Sequence, residues 1–154
     1  MNQFIEFNDI TIEKIAEIFD KAAIDHGPTD DGQIYVTGHP FNFWVRIDEK
    51  KGLLIFWSYW EFAADVDELS ALRFCNMCNH TKVLVQFSKS NESDRFYGHY
   101  MLPIREGMNP KTLLRMTQRF SAIIDECVQA GIKDGVLVPF NCSDDTCATS
   151  TTKH

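Results

Sequence analysis

The stretch LLIFWSYW, residues 53–60, is apolar or aromatic at every position except Ser58. It is too short to cross a bilayer as a helix. As a β-strand it carries large side chains on both faces, because successive side chains alternate. Such a strand needs cover on both sides or nearly so. The residues before it supply its partner. HPFNFWVRID, residues 39–48, alternates, with Phe43, Val45 and Ile47 on one side and Asn42, Trp44, Arg46 and Asp48 on the other. EKKG between the two segments is a hairpin loop in which Gly52 can take a positive φ. The chain is therefore built on an antiparallel sheet.

Helical periodicity appears three times. In NDITIEKIAEIFDKAAIDHGP, Ile12, Ile15, Ala16, Phe19, Ala22 and Ala23 form an apolar stripe; Thr11 or Asp9 caps the start and Gly27-Pro28 stops the helix. DVDELSALRFCNMCNH reads as the second helix, with Asp65 or Asp67 at its N-cap. Its stripe is expected to hold Leu69, Leu72, Cys75 and Cys78 or Asn79, and Asn79 is expected to end it in the left-handed conformation. In GMNPKTLLRMTQRFSAIIDECVQAG, Asn109 is the N-cap and Pro110 the first helical residue. Leu113, Thr117, Phe120, Ile124 and Cys127 or Val128 are buried, and Gly131 is the stop. QIYVTG, TKVLVQFSK and RFYGHYMLP are further strands, the last two joined by the polar loop SNESD. The expected fold is α+β, an antiparallel twisted sheet of about five strands with three helices, in the order α-β-β-β-α-β-β-α. Residues 1–140 are read as a single domain. Residues 141–154, with too little apolar surface to fold alone, are read as a flexible polar tail.

Charge and motifs narrow the function. A net charge of -7 argues against phosphate-backbone binding, which needs a basic face. No apolar run is long enough for a membrane span, and the start lacks the basic and apolar regions of a signal peptide. An odd number of cysteines without an export signal points to a reduced, cytoplasmic protein. Cys75, Cys78 and His80 suggest a metal or a dithiol, but no second cysteine pair completes a zinc site, and Cys127, Cys142 and Cys147 are scattered. A redox dithiol sits at a helix N-terminus; this one sits near a C-terminus, where the helix dipole raises thiol pKa values. The pair is expected to be structural, with no metal and no cofactor. His26, His39, His99 and His154 have no evident nucleophile beside them, and no nucleotide-binding or hydrolase motif occurs. Asp30-Asp31 and Asp65, Asp67, Glu68 fit a turn and a helix start better than a cation site. No catalytic residue is assigned, and the chain is read as a non-enzyme.

The sheet's second face is the more informative feature. If Phe43, Val45 and Ile47 face the helices, Trp44 points away. On the next strand Trp57 and Tyr59 oppose Leu54, Phe56 and Trp60, so one aromatic set shares that outer side. Leu84, with either Phe96 and Tyr100 or Tyr97 and Met101, adds to it. The competing reading is a wide single core, or scattered exposed aromatics of no consequence. Trp44, Trp57 and Trp60 are the candidate partner-binding residues. A homodimer, or a monomer holding an extended segment of another protein, would cover them.

The order of elements, FNFWVRIDEKKGLLIFWSYW, the N-x-x-N pair of Asn76 and Asn79 in CNMCNHTKVLVQF, and RFYGHYMLPIREGMNPKTLLRMTQRF together resemble the YbjN family, described as bacterial sensory transduction regulators. The likeness spans roughly residues 10–131. It implies a fold similar to the small dimeric chaperones of type III secretion, and no catalytic residues. The function expected is a non-enzymatic protein-binding module, regulatory or chaperone-like. The alternative is a small-ligand-binding protein or enzyme with a cleft between helix and sheet.

Overall fold

A computed structural model describes residues 4–140. The expected tail, with Cys142, Cys147 and His154, lies outside the described residues. After a 3-10 turn at Phe7–Asp9 the elements are α1 (Ile12–Lys21), β1 (His26–Pro28), β2 (Ile34–Val36), β3 (Phe43–Asp48), β4 (Leu53–Glu61), α2 (Glu68–Thr81), β5 (Gln86–Lys89), β6 (Arg95–Pro103) and α3 (Pro110–Lys133). All strands pair antiparallel in the order β1-β2-β3-β4-β6-β5. The β4–β6 ladder is the longest, running from Leu53↔Pro103 to Glu61↔Arg95. Gly52 takes φ 65 in the β3–β4 turn, as its place there requires.

The fold class is the expected one, with a sixth strand. The addition comes from the residues read as the stop of the first helix. Thr11 caps α1 by accepting from the Lys14 amide at 3.1 Å, but α1 ends at Lys21 and Ala23 turns the chain at φ 54. His26, Gly27 and Pro28 then pair with Val36, Tyr35 and Ile34. Gly and Pro have poor strand propensity; the pairing and the edge-on contact of His26 with Phe19 override it.

One core holds the three helices against one side of the sheet. Phe43, Val45, Leu54, Phe56 and Phe96 meet Ile15 and Phe19 of α1, Phe74 and Cys78 of α2, and Phe120 and Ile124 of α3. Gly98 lets α3 come close, because a Cβ there would lie 2.1 Å from Ile124 Cδ1.

Asn109 caps α3 through the Lys111 amide at 2.9 Å, with Pro110 following, as expected. Three expectations are corrected. Gly131 does not stop α3, which runs to Lys133; it is buried, and a Cβ would lie 2.6 Å from Leu137. The turn falls at Gly135, φ 71. The inward stripe of α2 is Ala71, Phe74, Cys75 and Cys78, leaving Leu69 57 % and Leu72 48 % exposed. Both stripes have helical spacing, and the sheet selects the one that carries Phe74 against Phe96. Asn79 is helical, α2 closes at Lys82 in an extended conformation, and the left-handed residue is Leu84, φ 75. That turn delays β5 to Gln86.

Candidate functional site: the helix-free face of the sheet

The side chains that alternate away from the helices form one aromatic surface. Tyr35 of β2 opposes Trp44 of β3, Trp44 opposes Trp57 of β4, and Trp57 opposes His99 of β6. One step along, Tyr59 opposes Tyr97. The Trp44 ring stacks on Trp57 at 4.7 Å and 19° and on Tyr59 at 5.7 Å and 8°, and Tyr35 lies 4.8 Å from Trp44. Tyr97 continues the row at 5.8 Å from Tyr59. The rings of Trp44, Trp57 and Tyr59 thus turn their faces mainly to one another. This mutual cover explains why Tyr59 is 8 % exposed although it points away from the helices; Ile55, between Arg46 and Met101 on the same face, is 3 % exposed.

The surface is anchored by polar contacts at its border. Trp57 donates its indole N–H to Gln33 Oε1 at 2.7 Å, Gln33 donates to Asp31 at 2.6 Å, and Asp31 also accepts from the Thr29 hydroxyl. Those two bonds hold the Asp31 carboxyl below its usual pKa. Asn42 donates to the Tyr35 hydroxyl at 3.0 Å. Arg95 lies 4.3 Å above the Tyr59 ring, a cation–π arrangement. Burial raises the Tyr59 pKa. Burial first, then the charge of Arg46, lower that of His99. Two arginines, Arg46 and Arg95, therefore frame an aromatic surface on an acidic chain.

Of the three tryptophans, the structure brings Trp44 and Trp57 together and separates Trp60. Trp60 lies on the opposite face at 9 % exposure, with its N–H donated to Val138 O at 2.6 Å and its ring against Phe41 and Phe140. The spacing from Trp57 to Trp60 is odd, so a regular strand places them on opposite sides. Tyr97 and Met101, rather than Phe96 and Tyr100, complete the outer face. Leu84 sits in the turn before β5 and Tyr35 was not expected there.

Cys75, Cys78 and Cys127 are free and buried. Burial pushes the Cys75 pKa to about 11, and the hydrogen bond of the Cys78 thiol to Cys127, together with burial, pushes that of Cys78 up as well. The same hydrogen bond lowers the pKa of Cys127, so the two thiols of α2 are the ones held protonated in the core. Among the described residues no group of three or more His, Cys, Asp and Glu side chains is placed to hold a metal. An open depression of about 660 Å³ lies beside α1, lined by Phe4, Asn8, Thr11, Lys14, Lys21 and Pro110 among others, and not between a helix and the sheet. Among the described residues no helix is long and apolar enough to cross a membrane.

Asn79 does work that the sequence did not reveal. Its side chain donates to Phe87 O at 2.9 Å and accepts from the Phe87 N–H at 2.8 Å, tying α2 to β5.

The YbjN family model, described as "Putative bacterial sensory transduction regulator", matches residues 11–131. No curated protein sequence matches the chain. The crystal structure of YbjN from E. coli, described as a putative transcription regulator, has a TM-score of 0.72 at 10% identity, covering 88% of this chain and 99% of that one. A chain of the HopA1–SchA chaperone–effector complex has a TM-score of 0.52 at 14% identity, covering 73% of this chain and 90% of that one. At these identities the likeness is one of fold.

Proposed function

Because the chain belongs to the YbjN family, we propose that it is a non-enzymatic protein-binding module, regulatory or chaperone-like, whose partner docks on the helix-free face of the sheet. The observation that supports this is the ladder of Tyr35, Trp44, Trp57, Tyr59 and Tyr97. A nucleobase stacks on an open ring face, and the faces of Trp44, Trp57 and Tyr59 are turned to one another. A protein surface needs apolar contact area, and Trp, Tyr and Arg are the residues that dominate interface energetics. A chain of like fold lies in a chaperone–effector complex, which fits a protein as the class of partner. Trp44 and Trp57 are the proposed contact residues. The simplest occupant is a second copy in a two-fold homodimer. A cytoplasmic setting belongs to the same reading and fits the three buried free thiols. The ligand-cleft alternative has less support, since Lys14 and Glu17 at the depression beside α1 are paired with each other.

The test compares wild type with Trp44→Ser by light scattering and circular dichroism, together with a pull-down from the native host. The expected result is a lower mass or a lost partner with the spectrum unchanged. A wild type that is monomeric at high concentration and recovers no partner overturns the reading, and a Trp44→Ser variant that unfolds would mean that Trp44 serves the fold.

A further inference from the structure

A sheet of six strands has two edges, and an edge is a template for pairing with another chain. In β5 the ladder to β6 fixes which backbone groups point outward. Ser90 donates to Arg95 O at 3.2 Å, so the bonded pairs alternate through Ser88↔Tyr97 and Gln86↔His99. The N–H and C=O of Phe87, and by the same parity those of Lys89, then face away from β6. The Asn79 carboxamide meets both Phe87 groups, at 2.8 and 2.9 Å, in the two-bond pattern that a neighbouring strand would make. At the other edge, bonds from Thr37 N to Asp25 O and from Thr29 N to Gln33 O leave His26 and Pro28 facing outward. Pro28 has no N–H to offer.

We propose that Asn79 is an edge guard: it takes the place of a seventh strand on β5 and closes the sheet to strand addition by a second copy of this chain. Lys89, on the same strand, is paired with Asp94 at 3.8 Å and donates to Ser90 O at 3.2 Å, so its side chain is engaged locally and the guard is Asn79. With Asn79 on β5 and Pro28 in a three-residue β1, little backbone is left for a further strand, and partners are left to dock through side chains. That last step rests on the proposed docking face, whereas the edge closure does not.

The experiment measures mass by light scattering and hydrogen exchange at the Phe87 amide in wild type, Asn79→Ala and the double variant Asn79→Ala/Lys89→Pro. Asn79→Ala is expected to exchange the Phe87 amide roughly tenfold faster at dilutions where it is monomeric, as loss of one net hydrogen bond implies, and at higher concentration to at least double its mass relative to wild type, with that amide protected again. Proline at position 89 removes an outward N–H without touching the ladder to β6, so the double variant is expected to return to the wild-type mass. A folded Asn79→Ala of wild-type mass overturns the proposal, as does a double variant that stays associated. If Asn79→Ala does not fold, Asn79→Asp decides. It keeps the acceptor for Phe87 N–H and sets a carboxylate against Phe87 O, so extra mass at neutral pH that disappears on acidification supports the guard. Wild-type mass at neutral pH overturns it. Trp44→Ser reports on the docking face alone, so the two ideas fail separately.

Discussion

Gly131 sets two effects against each other. In a helix interior alanine is favoured over glycine by about 1 kcal/mol. A Cβ at this buried position, however, would lie 2.6 Å from Leu137 and 2.8 Å from Phe74. The crowding is expected to win, so Gly131→Ala should lower stability by about 1–3 kcal/mol, read from the urea midpoint at constant slope. A rise instead would mean that the end of α3 shifts freely. The tryptophans separate in the same kind of measurement. Trp60→Ala empties a core site and removes the donor to the Val138 carbonyl, so it should cost about 3–5 kcal/mol, while Trp44→Ser, which loses ring contacts but no core site, should cost less, about 1–2 kcal/mol. His99 supplies a pH dependence. Its folded pKa is held below the ordinary value of 6.5, by burial first and then by Arg46, so the folded state binds fewer protons and stability rises with pH between the two values. The fold should be at full strength above about pH 6.5 and weaken as pH falls through the folded pKa. His99→Gln should flatten that acid limb in urea titrations, leaving the share due to His39, which burial shifts in the same direction.

At the scale of elements, α2 is the instructive case. Leu69→Gln and Leu72→Gln, both on its exposed side, should change stability by no more than about 0.5 kcal/mol. Phe74→Ala should cost about 3–5 kcal/mol. Equal losses for the leucines would mean that this flank is covered in solution, and a mass measurement on the same samples would say by what. The sequence carried two apolar stripes on this helix and nothing local to choose between them; the choice is made by Phe96 on a strand that comes later. In the same way β1 exists only because β2 is there to pair with it, so three residues of poor strand propensity were unreadable as a strand. By contrast, α3 was legible from Asn109-Pro110 and its stripe, and the β3–β4 hairpin from alternation and Gly52, because those signals are local. The outer face was half legible. Alternation alone assigns Trp44 against Phe43 and Val45 and parts Trp57 from Trp60, so the three tryptophans could not all share one face. The bond from Asn79 to Phe87 depends on where β5 lies, which no local pattern states.

For the whole molecule, the position of β6 between β4 and β5 has a consequence for how fast the chain can fold. The β3–β4 and β5–β6 pairs are hairpins that need only short loops to close. The nine-residue strands β4 and β6 pair along their full length, yet all of α2 and β5 separates them in the chain. Closing that loop has an entropic cost that the ladder offsets only once it is largely formed. The two hairpins should therefore form early and wait for each other, with their docking as the slow step. Phe56→Leu, in the middle of the long ladder, is expected to slow refolding. Val36→Ala, a fully buried position in β2 near the far edge of the sheet, is expected mainly to speed unfolding, as the two limbs of a denaturant chevron would show. The reverse pattern would place docking after the barrier. While the hairpins are apart, β4 and β6 each present a long unpaired edge, so the interval before docking is when the chain is most open to association with other copies of itself.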